Sequence, residues 1–128
     1  MRADISITTL IGRMTRDPEL VAVSQTAQKC NFSVAVNRVF GKGEARREEV
    51  SYFDIEAWGR LGEIVHQFGA KGKQLAVTGE LIQQRYTNKD GEKRSKIVVN
   101  AREVQFLDRP EGGQSEPQYA QPASPYQQ

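Results

Sequence analysis

Aromatic residues stand among basic ones along this chain, at Arg38/Phe40/Lys42, Tyr52, Trp58/Arg60 and Arg85/Tyr86/Lys89. An outward ring offers a flat apolar face, and a nearby cation offers a counter-charge. Single-stranded nucleic acid asks for this combination: cations track the phosphates while rings stack on bases, each stack worth roughly 1–3 kcal/mol. Any base has a face to stack, so such a surface reads sequence weakly. The competing reading places the rings in the core. Outward alternation at Tyr52 and Trp58 and the polar neighbours of Phe40 and Tyr86 weigh against it, although Phe40 is free to fold back onto the body.

Catalytic chemistry finds little support. The single His66 sits on the flank of a predicted helix beside Val65 and Gln67 and reads as a surface residue. No GxSxG, Walker loop, GxGxxG or HExxH pattern occurs. Asp54 and Glu56 share one strand face and could form an acid/base pair or half a metal site, yet no further ligands lie close in sequence. The lone Cys30 excludes an internal disulfide framework, leaves too few thiols for zinc or iron–sulfur, and reads as a small buried hydrophobe. The sequence therefore predicts a binding protein rather than an enzyme, with no cofactor and no metal.

The elements that position these residues are organised around Val50 to Leu81. Tyr52, Asp54, Glu56 and Trp58 alternate with Phe53, Ile55 and Ala57, which predicts a strand with one apolar face. Trp58, the only tryptophan, falls on the outward side with Tyr52, a surface that needs a ligand or a subunit to cover it. Leu61, Ile64, Val65 and Phe68 then form one helical stripe of two to three turns, ended by Gly69 and Gly72. Leu75 and Val77 resume the two-residue period.

Upstream, Ile5 to Met14 reads as a first strand with Gly12 at a bulge or bend. Asp17-Pro18 is a turn, and Glu19 to Val23 a short extended piece. Cys30 to Val36 alternates as a second strand, and Arg46 to Glu49 reads as a solvated hairpin tip. Downstream, Glu80 to Tyr86 stays extended, Asp90-Gly91 signals a hairpin, and Ile97 to Val99 with Val104 to Leu107 closes the sheet. The fold class is all-β with one helix. Five strands with the helix between the third and fourth is the order of the five-stranded OB-fold barrel.

At 128 residues the chain holds one domain with a real core. All 18 Lys and Arg lie at or before Arg109, whereas Glu111 and Glu116 follow it among 16 acids. The body is thus at +4 and the tail at −2, a balance that suits a nucleic-acid binder and equally an ordinary soluble domain. From Pro110 onward Gly, Gln, Ser, Pro and Ala dominate. The expected division is a domain over 1–109 and a disordered tail over 110–128. The N-terminus lacks a signal-peptide core and no run is long enough to span a membrane. The expected location is the cytoplasm, beside the nucleoid, with no membrane partner.

The chain resembles the bacterial single-stranded DNA-binding proteins. The similar stretches are Leu10-Ile11-Gly12-Arg13-Met14, Arg16-Asp17-Pro18-Glu19, Asn31-Phe32-Ser33-Val34-Ala35-Val36, Trp58-Gly59-Arg60-Leu61-Gly62-Glu63, and Lys71-Gly72 with Val77-Thr78-Gly79-Glu80-Leu81. Together they cover roughly residues 5 to 108. The resemblance implies an OB-fold, a homotetramer, and single-stranded DNA wrapped around it in replication, recombination and repair. It implies stacking by Phe40, Tyr52, Trp58 and Tyr86, the rings already singled out. Where the family commonly has Trp, this chain has Phe40, Tyr52 and Tyr86. Lys71 and Arg85 match basic positions of the family; Arg13, Arg38, Lys42 and Arg60 join them as phosphate contacts from local context.

Two departures stand out. Asp54 and Glu56 occupy positions where the family usually has basic or apolar residues, and two acids there should repel phosphate unless a cation screens them. The family's acidic tip closing on Pro-Phe, which docks replication and repair proteins, is missing from Ser124-Pro125-Tyr126-Gln127-Gln128. Physical chemistry alone leaves two other readings open: an RNA-binding OB domain, and a primosome-type module that uses the same face for a protein partner. The choice of DNA rests on the resemblance.

Overall fold

Ile55, Ala57, Leu75 and Val77 are fully buried, while Asp54, Glu56, Trp58, Gln74, Ala76 and Thr78 between them are half-buried or exposed. That period of two makes each strand one-sided, and a one-sided sheet must curl or pack to cover its apolar face. The computed structural model describes residues 3–107. The expected tail and the domain edge at residue 109 lie outside the described residues.

Six strands and one helix follow in order: β1 (Thr8–Met14), β2 (Glu19–Ala22), β3 (Gln28–Phe40), β4 (Arg47–Trp58), α1 (Gly59–Phe68), β5 (Gln74–Thr87) and β6 (Lys93–Phe106). β1 pairs antiparallel with β5, β5 with β6, and β4 with β3, while β4 and β6 run parallel. The ring closes where Arg13 and Met14 of β1 meet Ala35 and Val34 of β3. The result is the expected five-stranded barrel with one helix, and the short β2 is added alongside β3.

The barrel is filled by Phe32, Val34, Ile55, Leu75, Val77 and Val99, with Cys30 wholly buried as expected. Burial pushes the Cys30 thiol up to about 11, helped by the Glu19 carboxylate, so it stays protonated and inert at neutral pH. Gly12 is where closure depends on a missing side chain. A Cβ there would lie 2.3 Å from the Ala35 carbonyl oxygen. Of the bulge or bend expected at Gly12, the pairing with β5 shows no bulge; a register shift occurs instead in the β5–β6 pairing, between Thr78 and Gly79.

The helix caps the barrel through Val65 and Gly62, with Leu61 packed against the core. Phe68, expected on the buried stripe, is 54% exposed. The helix ends there, and it is Gly69 that closes on Met14: a Cβ on Gly69 would come within 2.9 Å of the Met14 methyl. The hairpin tip also differs from expectation. Arg47 to Glu49 belong to β4, and the turn is a single 3-10 turn at Gly43–Ala45. At the Asp90-Gly91 turn, the Asn88 side-chain oxygen accepts both the Asp90 and Glu92 backbone N–H groups at 2.9 Å. Among the described residues no helix is long and apolar enough to cross a membrane.

Candidate nucleic-acid interface

The register of β3 against β4 sets the outer face of the barrel. Lys29 lies across from Trp58, Asn31 from Glu56, Ser33 from Asp54 and Ala35 from Tyr52. Closure extends one of these rows, because Arg13 of β1 lies across from Ala35. Arg13, Ala35 and Tyr52 therefore form a transverse line, with Trp58 about 20 Å further along β4 at the usual rise per residue.

Tyr52 and Trp58 are 68% and 42% exposed, as the alternation requires. Trp58 is the last residue of β4 and immediately precedes α1. Gly59 adopts φ +63°, a left-handed turn that glycine takes without strain, and this swings the chain from strand to helix beside the ring. Lys29 reaches over the indole, its Nζ 5.4 Å from the ring centroid, while donating to Glu56 Oε2 at 3.1 Å. A lysine thus sits beside the indole, held by the acid across the strand pair.

Glu56 is the best-anchored charge on this face. It accepts from Lys29 and, at 3.0 Å, from Gln84 Nε2 of β5. Burial alone would raise the Glu56 carboxyl. The hydrogen bonds from Gln84 and Lys29 and the charges of Lys29 and Lys96 outweigh it and hold the group below the ordinary carboxylate range. Screening by a cation, the condition set by the two acids on this face, is met at Glu56. Asp54 is exposed and has no hydrogen-bond or ion-pair partner among the described residues.

The Gln84–Glu56 bond joins the β5–β6 hairpin to this face. Tyr86 lies two residues beyond Gln84 on the same side of β5 and is 48% exposed. It borders a shallow cleft of about 560 Å³ with Arg85, Lys93 and Arg94. Tyr52, Trp58 and Tyr86 are thus carried by one continuous outer surface.

Phe40 is different. In the register it lies across from Arg47, in the alternating set that includes Arg38 and Val36, the reverse of the ribbon from Tyr52. It is 41% exposed and neither core nor folded back. Arg38 covers its ring at 5.3 Å.

The expected phosphate contacts divide similarly. Arg13 donates to the Gly72 carbonyl at 2.9 Å, and the Lys71 N–H donates to Asp17 Oδ1 at 2.9 Å. These bonds tie the Lys71 loop to the end of β1, beside the Tyr52 row. Arg38 is paired with Glu49, and Arg60 with Glu63. Lys42 stands at the ribbon tip, and Arg85 donates to the Gln83 side chain. Sequence reasoning missed Lys29, Arg16 and Lys96, which surround Glu56 and Asp54. The signal for Lys29 was its place across from Trp58, legible only with the turn put at Gly43–Ala45.

The model of the single-strand binding protein family matches residues 5–107. The chain belongs to that family. The family's Treponema pallidum member, named single-stranded DNA-binding protein, is 47% identical over 111 residues, covering 87% of this chain and 62% of that one. Bacillus subtilis single-stranded DNA-binding protein A is 37% identical over 106 residues, covering 83% and 61%. The chain therefore spans less than two thirds of the length of these relatives. Among solved structures, a Plasmodium falciparum SSB in complex with ssDNA superposes with a TM-score of 0.74, covering 84% of this chain and 99% of that chain. At 16% identity that likeness establishes the shared fold.

Proposed function

We propose that this chain binds single-stranded DNA with little sequence preference and keeps unwound strands unpaired during replication, recombination and repair. The observation that carries the reading is one outer surface holding Tyr52, Trp58 and Tyr86 exposed, with Arg13 in the Tyr52 row, Lys29 over the Trp58 ring and the Lys71 loop tied to Arg13 through Gly72. Bases stack on the rings, and the phosphates run past the cations. Lys42, Arg60 and Arg85 extend the cationic path, and Phe40 with Arg38 serves a strand that passes round the ribbon. The names of the bacterial relatives, single-stranded DNA-binding proteins, support DNA over RNA. No covalent chemistry is involved, and the place of action is the cytoplasm beside the chromosome.

The active form in this reading is a homotetramer. Ile5, Ile7 and Leu81 are exposed together, where the Leu81 N–H donates to Ser6 Oγ at 3.2 Å. An apolar patch of this kind calls for cover by another copy.

The test is binding of a labelled oligo-dT at two salt concentrations, with duplex DNA and oligo-U as competitors. Tight binding that weakens with salt and resists duplex competition is the expected result. Equal competition by duplex would remove stacking from the account, and absence of binding at low salt would hand this face to a protein partner.

A further inference from the structure

Between the Tyr52 and Trp58 ends of the β4 face lies a polar groove of about 220 Å³. Its chemistry is set by Arg16, Lys29, Asp54, Glu56, Gln84 and Lys96. These six side chains carry three positive and two negative charges, and Glu19 at the same groove supplies a third negative one. A groove whose charges cancel offers a phosphate no net attraction. Its position between stacking rings and its mixture of donors and acceptors suit the edge of a base.

The acceptors and donors in the groove are unequally committed. Glu56 Oε2 accepts from both Lys29 and Gln84. The Gln84 amide spends one of its two N–H groups on Glu56, which leaves its oxygen as an acceptor and the second N–H as a donor. Asp54 is exposed and has no partner among the described residues. The groups left without a hydrogen-bond partner among the described residues are therefore the Asp54 and Glu19 carboxylates, the Gln84 oxygen and the buried Asn31 Oδ1 as acceptors, with the Arg16 and Lys96 cations in the same groove. A carboxylate accepts from an exocyclic amino group and repels a carbonyl. Cytosine presents an amino group at C4, with ring nitrogen and O2 acceptors beside it. Thymine presents a carbonyl at the same position.

We propose that this groove is a base-edge pocket in which Asp54 accepts the amino group of cytosine, tilting an otherwise unselective surface toward cytosine over thymine. The proposal rests on the single-strand reading above and deepens it. Asp54 is a specificity-determining residue in this account, acting directly on the bound base.

The experiment measures the affinity of the full chain for oligo-dC and oligo-dT of equal length at pH 8, for the unaltered protein and for Asp54→Ala and Asp54→Asn. The preference for dC relative to dT should drop by about fivefold or more in Asp54→Ala, the low end of what one good base contact discriminates, and by less in Asp54→Asn, whose amide oxygen still accepts. Asp54 is exposed, so both variants should keep their thermal stability, and Asp54→Asn preserves the shape of the side chain should Asp54→Ala disturb it. Tighter binding of both polymers by the same factor, with an unchanged ratio, would show that Asp54 merely repels phosphate and would overturn the pocket. No binding of either polymer by the unaltered protein would overturn the single-strand reading itself.

Discussion

The barrel face of β4 and the ribbon beyond it carry the same kinds of residue, and they differ in what stands behind them. On the barrel face, Tyr52 and Trp58 are backed by Ile55, Ala57 and the filled interior, and the charges beside them are partly buried. On the ribbon, Phe40 and Arg38 of β3 lie where only β3 and β4 pair, with solvent on both sides, and the Arg38–Glu49 pair is exposed. The lesson concerns pre-organisation. A ring fixed by a barrel stacks on a base at small further entropic cost, whereas a ring on a two-stranded ribbon must first be ordered. Charge pairs follow the same rule, since an exposed pair contributes about 0–1 kcal/mol and a partly buried, multiply bonded one contributes more.

The comparison breaks most readily at closure. Gly12→Ala forces a Cβ against the Ala35 carbonyl and is expected to cost about 3 kcal/mol or more of stability. Val39→Ala, on the ribbon, should stay within about 0.5 kcal/mol. Denaturant unfolding of the two variants checks this; equal losses would mean that the ribbon is as firmly backed as the barrel.

Binding should divide the same way. Trp58→Ala is expected to weaken oligo-dT binding by about 1–3 kcal/mol with little change in thermal stability. Phe40→Ala should cost less than about 1 kcal/mol. Titration of both variants with the same labelled strand decides the order, and a larger loss at Phe40 would move the main platform to the ribbon.

The acid limb sharpens the electrostatic half of the comparison. The Glu56 carboxyl is lowered in the folded protein, so its contribution is complete above the ordinary carboxylate range. That contribution is lost as pH falls through the lowered value. Glu56→Gln should flatten that limb of a thermal-stability profile. Glu49→Gln, which touches only the exposed pair with Arg38, should leave it unchanged and shift stability by no more than about 0.5 kcal/mol. A flattened limb in Glu49→Gln and not in Glu56→Gln would reverse the assignment.

Much of this was legible in the chain itself. Alternation over Val50–Trp58 placed Tyr52 and Trp58 outward and Ile55 inward, because a strand leaves its side chains only two directions. The single helix between strand pairs gave the barrel order. What escaped was long-range. Arg46 to Glu49 looked like a tip because a ribbon strand exposed on both faces has the composition of a turn, and with the tip misplaced Lys29 could not be put across from Trp58. Phe68 fitted the helical stripe but lies beyond the barrel rim, where Gly69 meets Met14. Gly12 signalled a constraint, yet whether it was a bulge or a close approach depended on β3, more than twenty residues downstream.

The most direct test of the central claim is the intrinsic fluorescence of Trp58 during titration with poly-dT at low and high salt, with duplex DNA as control. Trp58 is the only tryptophan, so the signal reports one site. Strong quenching by poly-dT, little by duplex, and a midpoint moving to higher concentration in salt is the predicted result. Unchanged fluorescence at low salt, with the strand shown to be bound by an independent label, would contradict it and take the stacking platform off the β4 face.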